Sequence, residues 1–190
     1  MKHKNKKSLL INADFYPLRL LHWSRAITLI YQGKATQLDF YKDDALKDGK
    51  GNSYPIPAVI VLNQYIYRNH RKAPFSRMGV MARDRFVCQY CEQEFKPSQL
   101  TLDHMIPKSK WKGAFSSKNW TNIVTACVPC NRKKADKTCE ASRMYPANLP
   151  VQPSYNEIFL GLHFYYKFEP EWATYLSILP GFKKELVHAD

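Results

Sequence analysis

One segment decides the fold of this chain, and it reads Cys88-x2-Cys91, Asp103-His104, Asn122, then Cys127-x2-Cys130-Asn131. The two cysteine pairs have the same two-residue gap, which lets both sulfurs of a pair turn toward one ion. Between the pairs lie 35 residues, more than the roughly 15–20 of a plain zinc ribbon. We therefore expect the four thiolates to hold one structural zinc ion, with a functional insertion between the pairs.

The insertion begins with Leu100-Thr-Leu-Asp-His104, whose alternation predicts a β-strand that ends in two adjacent polar residues. Neighbours in a strand point to opposite faces, so Asp103 and His104 can address two sides of one phosphate group. A carboxylate suits a hard divalent cation, and an imidazole can take a proton from an attacking water. The dipeptide alone is common, but beside the cysteine pairs it favours metal-assisted hydrolysis of a phosphodiester.

Two asparagines complete the expected site. Asn131 follows Cys130 in the first turn of a predicted helix, 131–137, where its amide oxygen would be the second protein ligand of the divalent cation. Asn122 would hydrogen-bond across the hairpin and so fix its loop and the orientation of His104. Each asparagine also has an ordinary interpretation as a turn or cap residue.

The charge of the chain favours a polyanionic partner. The formal net charge is +13 and the isoelectric point is near 9.5 in a chain of 22.2 kDa, an excess typical of proteins that bind nucleic acid. An anionic membrane surface would also attract this charge, but no apolar run approaches the roughly 18 residues of a membrane-spanning helix. The apolar run 8–13 is too short and too polar for a secretory signal, so we expect a cytoplasmic protein.

Basic residues concentrate around the expected site. Between Met105 and Thr138 there are eight lysines and arginines against one acid, Asp136. We expect them to contact DNA phosphates, which would make binding steeply salt-dependent and largely independent of base sequence. The eight residues are Lys108, Lys110, Lys112, Lys118, Arg132, Lys133, Lys134 and Lys137.

The predicted fold class is α+β, with four segments along the chain. They are a basic disordered arm (1–7), a small strand-rich α+β scaffold (8–75), the domain that holds the site (76–145) and an aromatic-rich C-terminal extension (146–190). The extension is expected to be partly helical and to pack back on the scaffold, because a chain of this size has few other sources of core. A contact between two copies in a homodimer is the alternative.

Short patterns predict the elements of the scaffold. Apolar and β-branched runs predict strands at 8–15, 36–41 and 58–62. Ser24 is the predicted cap of a helix that runs to about Gln32, with Gly33 as its stop.

The segment 83–141 resembles the HNH endonuclease family, particularly its four-cysteine members related to methyl-specific restriction and phage-borne enzymes. The resemblance is carried by Cys-x2-Cys, Leu-Asp-His104-Met-Ile-Pro107-Lys-Ser, Asn119-Trp-x-Asn122-Ile-Val and Ala-Cys127-x2-Cys130-Asn131-Arg-x-Lys134. The opening, Leu-Ile-Asn-Ala-Asp-Phe-Tyr-Pro17-Leu with Trp23-Ser-Arg-Ala-Ile27, is similar to a small N-terminal module of some members.

That resemblance implies a ββα-metal (His-Me finger) core with His104 as the general base and Asn122 as the middle asparagine. It implies Asp103 and Asn131 as ligands of a catalytic Mg²⁺ or Mn²⁺ ion. Asn131 stands where relatives have their final histidine, which makes the chain an H-N-N variant. The implied activity is nicking or double-strand cleavage of DNA. A non-catalytic, zinc-stabilised nucleic-acid-binding protein is the alternative.

Overall fold

The structure, a computed structural model, describes residues 6–67, 72–113, 116–183 and 186–187. Residues 1–5 of the expected basic arm lie outside the described residues, whereas Lys7 begins the first strand. The chain divides into two compact units, one formed by residues 1–68 and 167–190 and the other by residues 69–166.

The first unit is built on a four-stranded sheet. Its strands are β1 (Lys7–Ile11), β2 (Pro17–His22), β3 (Ala35–Lys47) and β4 (Ser53–Leu62), in the spatial order β2-β1-β4-β3. Strand β1 pairs antiparallel with β2 and parallel with β4, and β3 pairs antiparallel with β4. Helix α1 (Trp23–Tyr31) connects β2 to β3, and its Ala26 and Leu29 pack with Leu10 and Ile60 in a buried core.

Local chemistry sets the two ends of α1. The side chain of His22 accepts a hydrogen bond from the backbone N–H of Ser24 at 3.3 Å, so the helix is capped by His22, two residues before the predicted cap Ser24. Gly33 follows the helix with a φ of +67°, a conformation that glycine adopts without steric cost.

The second unit centres on an antiparallel hairpin that leads directly into a helix. It contains α2 (Arg77–Arg83), β5 (Leu100–His104), β6 (Ile123–Cys127), α3 (Val128–Lys134), α4 (Cys139–Ser142) and α5 (Tyr155–Gly161). The hairpin register runs without a shift from Leu100 opposite Cys127 to His104 opposite Ile123.

The two faces of β5 have different neighbours. Leu100 and Leu102 pack into apolar clusters that include Met81 and Val80 of α2. On the other face, Thr101 and Asp103 make polar contacts with side chains of α3. Period-two alternation in the strand thus separates an apolar face from a polar one.

The end of the chain returns to the first unit through a 3-10 turn (Pro170–Trp172) and helix α6 (Ala173–Leu176). Trp172 is fully buried, and its indole N–H donates to the carbonyl of Ala58 at 3.0 Å. Phe168 packs edge-on against Trp172 with ring centroids 6.0 Å apart. Aromatic residues of the C-terminal segment therefore complete the core beside β4.

The predicted α+β class is confirmed, since a strand-rich N-terminal sheet is followed by helices and a cysteine cluster. Two strands are longer than predicted. Strand β3 continues to Lys47 because its polar end pairs with Ser53 to Pro55, which supplies backbone partners that composition does not reveal. The prolines of β4 are tolerated because they precede Val59, where pairing with β1 begins.

None of the helices within the described residues combines the length and the apolar composition that crossing a membrane requires.

Candidate active site and metal centre

Four cysteines meet at one point of the second unit. The sulfur atoms of Cys88, Cys91, Cys127 and Cys130 all lie within 4.8 Å of one another. Cys91 Sγ and Cys127 Sγ are 3.9 Å apart, and a tetrahedron with metal–sulfur bonds of roughly 2.3 Å has edges of about 3.8 Å. The spacing fits one tetrahedral ion, and the four residues are positioned to hold a metal.

The backbone shapes both halves of this centre. In the first half, the N–H of Cys88 donates to the carbonyl of Gln93 at 3.0 Å, and the N–H of Glu92 donates to the carbonyl of Cys88 at 2.8 Å. In the second half, Cys127 ends β6 and caps α3, and its sulfur accepts from the N–H of Cys130 at 3.5 Å. A tight turn and a helix start therefore aim the sulfurs at a common point.

Asp103 is buried and held by two donors. Its Oδ2 accepts from the hydroxyl of Tyr90 at 2.5 Å and from Lys134 Nζ at 2.9 Å. Lys134 also donates to the carbonyl of His104 at 2.5 Å. No hydrogen bond or ion pair joins Asp103 Oδ1 to any other described residue.

The burial of Lys134 corrects one sequence prediction. Lys134 was expected to contact DNA phosphates, but its side chain is 0% exposed and its ammonium is engaged by Asp103 and His104. The expectation was wrong because Lys134 lies on the face of α3 that packs against β5. The other seven residues of the set are all exposed: Lys108, Lys110, Lys112, Lys118, Arg132, Lys133 and Lys137.

His104 lies on the strand face opposite Asp103. Its Nε2 is buried and has no hydrogen-bond partner among the described residues. Burial lowers the pKa of His104 below the ordinary value of 6.5, and the positive charge of Lys108 lowers this pKa further. A neutral imidazole with an unsatisfied nitrogen can accept a proton.

The side chain of Asn122 forms hydrogen bonds to the backbone at both ends of the hairpin loop. It is 2% exposed, and its side chain accepts from the N–H of Ile106 at 2.9 Å and donates to the carbonyl of Ile106 at 3.1 Å. The same amide nitrogen donates to the carbonyl of Ser117 at 2.9 Å. Asn122 thus holds the backbone that follows His104.

Asn131 lies in the middle of α3 rather than in its first turn, because the helix begins at Val128. Its Nδ2 contacts Thr101 Oγ1 at 3.4 Å. Thr101 and Asp103 are two residues apart on one strand face, so Asn131 reaches the Asp103 side of β5. The amide oxygen of Asn131 has no hydrogen-bond partner among the described residues.

The donor set fits a hard divalent cation. Asp103 Oδ1 and the Asn131 amide oxygen are oxygen donors on the same side of the strand, and both are without partners in the described part of the chain. Magnesium and manganese prefer such oxygen ligands, and magnesium typically keeps several waters beside one or two protein ligands.

The loop after His104 is fastened to the segment that follows helix α3. Ser109 Oγ donates to both carboxylate oxygens of Asp136, at 2.8 and 2.7 Å. Lys110 Nζ donates to the backbone carbonyl of Asp136 at 2.7 Å. These contacts keep the basic residues of the loop beside those of α3.

Comparison with known families agrees with this geometry. Residues 88–137 match the family model described as HNH endonuclease. Residues 8–70 match the model described as HNH endonuclease-associated, N-terminal domain. The chain therefore carries an HNH endonuclease domain, which follows an HNH endonuclease-associated N-terminal domain in the sequence.

Searches of curated proteins and of solved structures returned no match.

The structure adds two residues to the site that sequence reasoning did not assign there. Tyr90 falls in the two-residue gap of the first cysteine pair, where the sequence assigns it no role, and the sequence places Lys134 among the cations expected to contact DNA. Both contact Asp103, although each is separated from it by 13 or more positions in the sequence. The two-residue gap between Cys88 and Cys91 gave no indication of where the intervening tyrosine would point.

Proposed function

We propose that this protein is a metal-dependent HNH endonuclease that hydrolyses phosphodiester bonds of DNA with His104 as the general base. The observation that supports this most directly is the unpartnered Nε2 of His104, adjacent in sequence to the Asp103 carboxylate. Structural histidines normally satisfy their buried nitrogens. An unsatisfied one at the end of a strand, inside the segment that matches the HNH model, suits a proton acceptor.

In the proposed reaction His104 removes a proton from a water molecule as its oxygen forms a bond to phosphorus. The bond from phosphorus to the leaving oxygen breaks, the leaving oxygen keeps the electron pair and takes a proton from solvent, and the imidazolium later returns its own proton to solvent. Asp103 and Asn131 would hold a Mg²⁺ or Mn²⁺ ion, which when bound stabilises the charge on the phosphate and on the leaving oxygen. Asn122 acts as a positioning residue through the loop that it fastens.

The ion at the cysteine centre is proposed to be zinc in a structural role. Four thiolates saturate tetrahedral zinc and leave no open position for water, which is the usual difference between structural and catalytic zinc sites. The centre clamps the turn after α2 to the junction of β6 and α3. The position of the hairpin formed by β5 and β6 therefore depends on the metal centre.

The proposed substrate is DNA, bound mainly through its phosphates by the seven exposed cations around the hairpin. A single active site cuts one strand at a time. A double-strand break then requires a homodimer or a second, separate cleavage of the opposite strand. We place this activity in the cytoplasm, where reduced cysteines favour metal binding.

The test is cleavage of supercoiled plasmid by zinc-loaded protein with Mg²⁺, with Mn²⁺ and with chelator. Nicked or linear product should require the divalent ion, and both His104→Ala and Asp103→Asn should abolish it. Glu140→Gln is a matched control, because Glu140 is an exposed carboxylate of α4. DNA binding without cleavage under every condition would instead identify a non-catalytic nucleic-acid-binding protein.

A further inference from the structure

Tyr90 connects the cysteine centre to the proposed catalytic carboxylate. It stands between Cys88 and Cys91 in sequence, and its hydroxyl reaches Asp103 Oδ2 at 2.5 Å. We infer that Tyr90 is a positioning residue through which the structural metal centre controls the affinity of the site for its catalytic cation. This inference rests on the proposed function, because it concerns the same carboxylate.

The two donors on Asp103 act on one oxygen only. Tyr90 and Lys134 both donate to Oδ2, and Oδ1 has no hydrogen-bond partner among the described residues. Two donors on a single oxygen fix the rotation of the carboxylate plane. The oxygen that remains available to a cation is therefore held in one orientation before the cation arrives, which lowers the ordering cost of binding.

Tyr90 is well suited to donate rather than accept. An ionised carboxylate can only accept hydrogen bonds, so the phenol O–H is the donor in the contact between Tyr90 and Asp103. Its single proton is directed at the carboxylate.

The cysteine centre holds the tyrosine ring itself. Cys88, Ala126 and Cys127 form a buried cluster, and the side chains of Tyr90 and Phe95 both pack against it. Two of those residues are ligands of the proposed zinc. The position of the hydroxyl is therefore set by the same sulfurs that the ion draws together.

A link of this kind makes the two metal sites interdependent. Loss of the zinc would release the turn that carries Tyr90, and Asp103 would keep only Lys134 on Oδ2. Groups that hydrogen-bond a metal ligand typically change metal affinity by about 10- to 100-fold when they are removed. The proposed zinc would thus contribute to catalysis without touching DNA.

The test is Tyr90→Phe, which removes the hydroxyl and keeps the ring. In zinc-loaded protein we expect Mn²⁺ affinity to fall by about tenfold, measured by calorimetry without DNA. Cleavage at saturating Mn²⁺ should return to nearly the wild-type rate, while the Mn²⁺ concentration for half-maximal cleavage rises by a similar factor. Zinc content should not change.

Tyr145→Phe is the matched control, because Tyr145 is exposed and belongs to the same unit. Asp103→Asn identifies the fraction of Mn²⁺ that binds at this site. Unchanged Mn²⁺ affinity in Tyr90→Phe, with cleavage by the wild type intact, would overturn the link and leave the proposed function standing. Loss of zinc from Tyr90→Phe would also overturn it, since ring packing would then be the important property.

A wild-type protein that neither binds Mn²⁺ through Asp103 nor cuts DNA would remove both proposals together.

Discussion

Lys134 Nζ lies 2.9 Å from Asp103 Oδ2, and the two side chains are 0% and 6% exposed. This ion pair joins the last residue of helix α3 to the second-last residue of strand β5. Removing one partner of a buried ion pair is costly, because the remaining charge stays in a medium that solvates it poorly.

Replacing Lys134 by methionine should therefore lower the free energy of unfolding by about 3–5 kcal/mol. Urea denaturation of the zinc-loaded protein, followed by circular dichroism, measures this change. Lys133→Met is the matched control, because Lys133 is exposed on the same helix and its loss should cost at most about 0.5 kcal/mol. Equal stability of the two variants would contradict a buried pair.

Replacing His104 by alanine should remove cleavage and little else. A general base contributes about 10²–10⁴-fold to rate, and the imidazole Nε2 has no hydrogen bond to lose among the described residues. Single-turnover cleavage should fall by that factor, whereas zinc content and the Kd for DNA should stay close to the wild-type values. Normal cutting by the variant would exclude His104 from the proposed mechanism.

Serine at Cys88 or Cys127 should unfold the second unit. Structural zinc supplies about 10 kcal/mol or more of folding free energy, and both residues belong to the four-sulfur cluster. Elemental analysis should find zinc lost, and thermal denaturation should lose its cooperative transition.

Cys139→Ala is the matched control for the cysteine variants. Cys139 is buried outside the cluster, and its sulfur lies 3.8 Å from the carbonyl of Met105. This variant should keep its full zinc content. Unchanged metal content and Tm in Cys88→Ser would exclude the cysteine centre.

Replacing the exposed Lys133 by glutamine should weaken DNA binding for all sequences alike. Each lost phosphate contact reduces the slope of log K against log salt by about one. Binding measured by fluorescence anisotropy at several salt concentrations gives that slope. Lys47→Gln, an exposed lysine at the end of β3, should leave the slope unchanged; an equal effect at both positions would indicate nonspecific attraction to the whole chain.

Some elements follow directly from local sequence. The strand predicted at Leu100 to His104 has those bounds in the structure, because alternating apolar residues match a half-buried strand. Helix α2 is capped by Ser76, which accepts from Gly79 N–H at 3.0 Å. A hydroxyl cap of this kind is recognisable from sequence alone.

Other elements depend on competition between local signals. The sequence predicts a helix at 131–137, whereas α3 spans Val128–Lys134. The helix starts earlier because Pro129 suits a first turn and Cys127 caps it. The shift places Asn131 in mid-helix and turns Lys134 inward, which is why a residue taken for a surface cation is buried.

The sequence by itself determined the cysteine spacing, the alternation that separates Asp103 from His104, and the excess of positive charge. These are properties of neighbouring residues, whose periods and gaps are visible in one dimension. Only the tertiary structure decided which groups hold Asp103. Tyr90 and Lys134 are distant from Asp103 in sequence. They contact Asp103 because the packing of α3 and of the first cysteine turn against β5 brings them there, and no local pattern encodes that packing.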